Sequence, residues 1–528
     1  MTQFNRRDFL RAVGATGGAG AMLATMGALG LAPTAEAAGR EASYRAPSPS
    51  DFSLTGKAAA KVVVLGGGIA GLATAYELGK AGYDCTILEA RDRAGGRNFT
   101  VRGGDTTTDL YGNRQTARFS AGHYMNAGPA RIAQWMITLD YCRELGVPIE
   151  VFTNVNADSY IYNESAGMTA PMRYRTAKAD MYGYVSELLA KATDKGALDG
   201  DLTATDQERL VEFLKDYGDL GDTLDYTGST RRGYSVWPGA AGTPGNVLGD
   251  VPTASQIFAT GVGRYFSFEF EFDQAMLMFQ PVGGMDQIPQ ALVRAVGSRK
   301  VRIGCAVTQV TDKGTGVTVT YTQGGRTKTL DADYCVAAMP PNLLAKVPHN
   351  LGSGVQSALE AITPSSAAKI GLEYASRWWE TDHRIYGGIT ETDQDVTHIW
   401  HPSYGFHGER GVLIGYYNYD TDADSYAALT PAAREARAVA AGVKIYGDKY
   451  RTELASSFSH HWRQFPYQEA AWHDTPGGPD DPRYKPLTAP TGRVYFAGDW
   501  LTYMDAWQHG AFSSARRTVS ALHARVLA

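Results

Sequence analysis

The stretch KVVVLGGGIAGLATAYELGKAGYDCTILEARDRAGGR, residues 61–97, constrains the fold more than any other part of the chain. From Lys61 to Leu65 it reads as a continuous apolar run, as expected for a strand covered on both faces. Gly66-x-Gly68-x-x-Gly71 follows at once. The pattern then predicts a helix over 72–80 closed by Gly82, and a second strand over 83–88 ending at Glu89. Strand, glycine turn, helix and strand in this order make the first unit of a parallel, doubly wound sheet. Gly66 permits the tight turn, Gly68 lets a pyrophosphate approach the backbone, and Gly71 lets the helix pack close to the sheet. The helix start, with Ile69 and Ala70, offers free N–H groups and a positive dipole end to the phosphates. Glu89, 18 residues past Gly71, can accept hydrogen bonds from ribose hydroxyls. A dinucleotide cradle is expected; the glycine turn and Glu89 by themselves leave NAD and FAD both open.

With 528 residues the chain should hold two or more domains. A net charge of −5 and no long basic run give no reason to expect a nucleic-acid partner. The first 37 residues stand apart. Arg6, Arg7, Phe9, Leu10 and Arg11 precede a Gly/Ala-rich run to Leu31, and AEA ends at Ala37. This resembles a twin-arginine export signal, which implies a periplasmic or secreted protein exported already folded. The alternative is a membrane helix, which would leave the basic flank and the small-residue cleavage site unexplained. No other segment approaches the ~18 consecutive apolar residues of a membrane span, so no stable span is expected. The four cysteines, Cys85, Cys142, Cys305 and Cys335, form no CxxC; such thiols act as small apolar residues, and the fold should rest on its core. No His/Cys/carboxylate cluster has metal-ligand spacing; His460 and His461 would point to opposite faces of a strand.

The continuation EARDRAGGR decides between the cofactors. With GRVYFAGDW at 492–500, GCAVTQV around Val307 and YCVAAMPP before Leu343, it resembles the flavin amine oxidase family, and most closely its bacterial L-amino acid oxidases. The resemblance implies FAD. It assigns Glu89, Ala90 and Arg91 to the adenosine end, and Gly96 and Arg97 to the phosphates. Val307 would contact adenine, Asp499 beside Gly498 the ribityl chain, and Ala511 in a C-terminal helix the flavin edge. Gly128, Pro129, Ala130, Arg131, Trp462 and Trp507 complete the cofactor set. Ala471 stands where some relatives carry a cysteine bonded to FAD, which implies noncovalent binding.

The fold class is then α/β: a doubly wound, Rossmann-like FAD-binding domain (38–125, 284–345 and 460–528) with an interleaved α+β substrate domain (126–283 and 346–459). VTVTYTQGGRTKTL reads as a hairpin turning at Gly324-Gly325. DQERLVEFLKDYGDL has helical periodicity, GVLIGYYNYD is strand-like, and Thr430-Pro431 reads as the start of a helix. The Gly/Pro-rich segment from Gly228 to Gly249 is expected to be a long loop or lid.

Three groups carry the expected chemistry. Trp472, ten residues after Trp462, and Trp507, nine after Gly498, match the aromatic pair that flanks a substrate amine in the family. Lys369 in SSAAKIGLEY matches the family lysine that holds a water beside the flavin, with Ile370 and Leu372 suggesting a half-buried strand. Arg131 in GPARI and Tyr416 in RGVLIGYY match the arginine and tyrosine that receive a substrate carboxylate in amino acid oxidases. A guanidinium fits two carboxylate oxygens at once, which a lysine cannot. Ala506 would offer its carbonyl to the amine. Trp400, Phe406 and the acids Glu269, Glu271 and Asp273 are candidates for reading the side chain, with a bulky or basic one favoured.

The resemblance thus implies oxidative deamination of an L-amino acid by FAD and dioxygen, giving a 2-oxo acid, ammonia and hydrogen peroxide. A monoamine or polyamine oxidase, an L-amino acid 2-monooxygenase and a non-catalytic flavoprotein remain alternatives, and a homodimer remains open.

Overall fold

The computed structural model describes residues 52–474, 478 and 481–528. The expected export signal lies outside the described residues. Lys61–Leu65 is the middle strand of a five-stranded parallel sheet, ordered Val301–Arg302, Asp84–Leu88, Lys61–Leu65, Tyr334–Ala337 and Val494–Phe496. Its side chains alternate between two cores. Val62 and Val64 pack with Leu72 and Leu78 of the helix Ile69–Lys80 and with Phe512 and Val519 of the helix Gln508–Leu527. Val63 and Leu65 pack on the other face with Val317, Val319 and Leu359. Burial on both faces explains why this strand carries no polar alternation. The first helix starts at Ile69, three residues earlier than its apolar periodicity suggests, with Gly68 as its N-cap. Its free N–H groups therefore lie on the glycine turn itself.

Against the Val63 face lies an antiparallel meander, Ala306–Asp312, Val317–Gln323 and Arg326–Ala332. Gln323 pairs with Arg326 across Gly324 (φ 58°) and Gly325 (φ 74°), the two-residue left-handed turn that suits a twisted hairpin.

A second, mixed sheet supports the far end of the site. It runs in the order Leu454–His461, Ala367–Tyr374, Gly411–Tyr419, His398–His401, Gly388–Thr392 and Tyr160–Tyr162. The expected domain boundary at residue 460 falls inside the first of these strands. Every residue of Ala367–Tyr374 is buried, which corrects the half-buried expectation: this strand is paired on both sides and covered on both faces. Lys369 lies opposite Tyr417 on one side and His460 on the other. One residue further, Ile370 faces Tyr416, yet Gly371 faces Ile414, so Gly415 is an extra residue, a bulge that shifts the register.

Residues 166–168 and 172–266 cluster as a compact unit separate from the remaining described residues. Within it, the helix Ala204–Gly218 is capped by Thr203, whose hydroxyl accepts from Asp206 N–H, and Gly218 meets Ser186 of the helix Tyr174–Asp194. The segment 228–249, expected as a long loop or lid, is largely irregular and exposed and is anchored at its base. It forms a short hairpin, Tyr234–Val236 with Asn246–Val247, next to Arg232. Arg232 is buried, pairs with Asp180 at 2.6 Å, and donates to the carbonyls of Leu248 and Gly249.

Among the described residues, no helix is long and apolar enough to cross a membrane, and all four cysteines are buried free thiols.

Candidate active site

At the C-terminal ends of the parallel strands, where doubly wound folds bind ligands, lies a cavity of about 1060 Å³. Gly66, Gly68, Ile69 and Ala70 line one end, with Glu89 and Arg91. An adjoining cavity of about 750 Å³ shares Gly66 and Glu89 and is lined by Ala90 and Val307. Gly96, Arg97, Gly128, Pro129, Trp462, Gly498, Asp499 and Ala511 line the main cavity further on.

Close backbone approach decides several of these positions. Gly66 has φ +102°, and a Cβ on Gly71 would lie 2.0 Å from the Gly66 carbonyl oxygen. Gly71 itself lies behind the turn and does not line the cavity. A Cβ on Gly128 would lie 1.9 Å from the Arg97 carbonyl oxygen. Glu89 braces the turn: Oε2 accepts from Gly67 N–H at 2.7 Å and Oε1 from Arg91 N–H at 2.9 Å.

The charges are arranged for an anion. Arg91 is buried, and its Nε and Nη1 have no hydrogen-bond partner. Its nearest acid, Glu89 Oε1, is 3.6 Å from Nε, too far for a hydrogen bond. Burial pushes the Arg91 guanidinium below its ordinary pKa, opposed by Glu89. Arg97 instead holds the two ends of the chain together, pairing with Asp499 and donating to the Ala471 carbonyl at 2.9 Å. The other oxygen of Asp499 accepts from Ala506 N–H at 2.9 Å, fixing Ala506 in the left-handed region at φ 63°.

The opposite end is aromatic and cationic. Trp472, Trp507, Ala506, Lys369 and Tyr417 line it. Lys369 is buried, donates to Gly128 O at 2.5 Å, and lies 3.4 Å from Asn126 O. Its Nζ is 4.4 Å from the Tyr417 ring centre and 4.8 Å from that of Trp400. Burial, then the charge of Arg131, pushes its pKa down to about 7. Beyond Trp400 lies Arg131, its guanidinium 4.8 Å from the Trp400 ring centre and 5.2 Å from that of Phe268. Nη1 donates to Asn154 Oδ1 at 2.8 Å. Among the described residues, Arg131 makes no ion pair with any carboxylate. Burial presses its pKa down, while Tyr419, Tyr417, Glu391 and Asp273 oppose the shift. Ala130 is packed in the neighbouring core.

Residues 69–523 match a family model described as flavin containing amine oxidoreductase. The chain belongs to this family. An L-amino-acid oxidase of Vipera ammodytes ammodytes is 27% identical over 464 residues, 84% of this chain and 89% of that one. An L-amino-acid oxidase of Demansia vestigiata is 26% identical over 481 residues, 85% and 83% of the two chains. The fold is that of solved structures of cyclohexylamine oxidase from Brevibacterium oxydans IH-35A (TM-score 0.60, 17% identity, 89% and 100% coverage). Putrescine oxidase bound to putrescine is similar too (TM-score 0.58, 20% identity, 89% and 99% coverage). This amine oxidoreductase uses FAD, and its doubly wound α/β fold is the one expected.

The cavity fits that cofactor. The glycine turn and helix N-terminus suit a pyrophosphate, Arg91 keeps Nε and Nη1 without hydrogen-bond partners, and Glu89 keeps lone pairs for a ribose. The sequence missed His473, which is buried in the cavity wall with Nε2 2.8 Å from Asn342 Oδ1 and its pKa pushed down to about 3, chiefly by burial. No pattern marks it, because Asn342 and His473 are far apart in the chain.

One assignment requires correction. Tyr416 does not face the cavity: its ring packs on Tyr426 at 4.6 Å, on the side of Arg434 and Ser459. The adjacent Tyr417 faces Lys369 and Trp400, with ring centres of Tyr417 and Trp400 5.1 Å apart. The bulge at Gly415 accompanies this change of face. Phe406 is half exposed and packs on Tyr386 and Arg377 rather than on these groups.

Proposed function

We propose that this oxidoreductase deaminates L-α-amino acids, with dioxygen as acceptor, to 2-oxo acids, ammonia and hydrogen peroxide. One observation carries the reading: a half-buried guanidinium, Arg131, close to two aromatic rings and without a carboxylate partner among the described residues, sharing the Trp400 ring with Lys369 of the cofactor cavity wall. Desolvation already disfavours the charge on this guanidinium, and an incoming carboxylate would offset that cost. The similarity to L-amino-acid oxidases over most of both chains supports it.

Bound FAD supplies the two-electron acceptance and passes the electrons to dioxygen; the protein side chains do the rest. Arg131 takes the substrate carboxylate in a two-pronged grip, and Asn154 sets its orientation. Tyr417, whose phenol is kept protonated by burial, donates to the same carboxylate. Trp472 and Trp507 wall the amine off from water, and the Ala506 carbonyl receives it. Lys369 holds a water between its amine and the reacting atoms. The segments expected to bind FAD and substrate divide these tasks, the first carrying the glycine turn, the second Arg131 and Lys369. FAD is held noncovalently, since Ala471 offers no thiol and no cysteine lines the main cavity. The twin-arginine-like N-terminus directs export.

The test is turnover of the twenty L-amino acids beside their decarboxylated amines, read as peroxide release with product analysis. The expected outcome is peroxide with a 2-oxo acid from amino acids and at least ~10³-fold lower kcat/KM for the amines, because a site built for a polar group rejects the analogue lacking it. Turnover confined to amines, or an amide as product, would overturn it. The corrected tyrosine gives a sharper check. Tyr417→Phe should lower kcat/KM for amino acids about 10-fold, the worth of one hydrogen bond to a charged group. Tyr416→Phe should change it less than about 3-fold; steady-state kinetics of the two variants decide between the adjacent phenols.

A further inference from the structure

Lys369 sits in surroundings of two opposed kinds. Locally they favour an ammonium: two backbone carbonyls, Gly128 O and Asn126 O, lie at 2.5 and 3.4 Å, and two ring faces, Tyr417 and Trp400, at 4.4 and 4.8 Å. Yet the Trp400 ring that faces Lys369 also faces Arg131, each cation 4.8 Å from its centre. Two cations sharing one indole in a buried site repel each other, and the one that can lose its charge is the lysine.

Glu391 and Asp273 act on Arg131 from a distance, but neither pairs with it or with Lys369 among the described residues. From the adjacent strand Leu454–His461, His460 lies opposite Lys369, and burial keeps its imidazole neutral. On Gly411–Tyr419, burial keeps Tyr417 and Tyr419 protonated and neutral. Further along the sheet, Glu391 is engaged by His398 at 2.7 Å. Among the described residues, no carboxylate ion-pairs with Lys369.

We propose that a carboxylate bound at Arg131 turns Lys369 into a proton acceptor, so that docking the acid end of a substrate is coupled to uptake of one proton at Nζ. The inference rests on the carboxylate reading of Arg131. Neutralising the guanidinium removes the repulsion and leaves the carbonyls and ring faces, which stabilise the ammonium. With an amino acid the proton comes from the substrate ammonium: its N–H bond breaks, the Nζ–H bond forms, and substrate is left as the free amine that oxidation requires. With a carboxylate lacking an amine, the proton comes from solvent. The sign follows from Lys369 standing at about 7 in the free protein. Above that pH the free amine is neutral and binding charges it; well below, it is charged already and binding takes up nothing.

The experiment uses the FAD-loaded enzyme and benzoate, in weakly buffered solution with a pH indicator, while binding is followed by the flavin absorption spectrum. Uptake of the order of 0.5–1 proton per flavin is expected near pH 8, falling towards zero at about pH 6. Lys369→Met should still bind benzoate but take up no proton. Benzoate bound with no proton uptake at pH 8 would overturn the coupling while leaving the carboxylate site standing, as would uptake that persists in Lys369→Met. If benzoate fails to perturb the wild-type spectrum at any concentration up to saturation, the carboxylate reading falls and the coupling with it.

Discussion

Arg131→Met is expected to cut kcat/KM for L-amino acids about 10³-fold. Methionine keeps an unbranched, flexible apolar stem beside Trp400 and Phe268 and removes the charge and its donors. Removing one partner of a buried ion pair costs roughly 3–5 kcal/mol, because the remaining charge, here the substrate carboxylate, is buried alone. That corresponds to about two to four powers of ten. Arg131→Lys should recover little. A single ammonium cannot make the fork, cannot lie flat between two rings, and loses the geometry that Asn154 Oδ1 imposes at 2.8 Å. Flavin content should remain near wild type, since Arg131 does not line the main cavity. Any turnover of amines without a carboxylate should change less than about threefold, because they gain nothing from the charge. Steady-state kinetics with both substrate classes, normalised to bound flavin, provide the measurement. An amino-acid kcat/KM within tenfold of wild type would show that the guanidinium serves another partner.

The cofactor end was legible because its determinants are local. The turn, Gly66 to Gly71, and Glu89 lie in one continuous segment, and at Gly66 and Gly71 the backbone geometry tolerates only glycine. The substrate end is assembled from residues far apart in the chain, Asn154, Phe268, Lys369 and Trp400, so spacing carries no trace of their meeting. Tyr416 shows the limit most clearly. In a strand, a slip of one residue moves a side chain to the opposite face, and Gly415, the residue responsible, looks like any other glycine in a strand-like run. Only the pairing of Ile370 with Tyr416 and of Gly371 with Ile414 reveals it. The long loop expected over 228–249 is there, but its Gly/Pro-rich composition did not disclose that Arg232 binds the carbonyls of Leu248 and Gly249.

Two glycines of one helix should respond to alanine with opposite signs. Gly71 and Gly79 both lie in Ile69–Lys80. At Gly71 a Cβ would stand 2.0 Å from the Gly66 carbonyl oxygen and 3.2 Å from Val64 Cγ1; at Gly79 it would meet nothing within 4 Å. The colliding atom at Gly71 is backbone, so relief requires moving either the helix or the turn, and that turn is where the cofactor phosphates are read to lie. Overpacking of this kind costs typically 1–3 kcal/mol, more where backbone must shift. Gly71→Ala is therefore expected to weaken FAD retention about 100-fold, read as a lower ratio of 450 to 280 nm absorbance after dialysis. Gly79→Ala should retain FAD fully and gain about 0.5–1 kcal/mol in helix stability, because the exposed position has room and alanine loses less backbone freedom. Because the two substitutions add the same methyl group to the same helix, general intolerance to mutation cannot produce the split. If both variants kept FAD equally, the phosphates would have to be held elsewhere than at the Gly66–Gly71 turn.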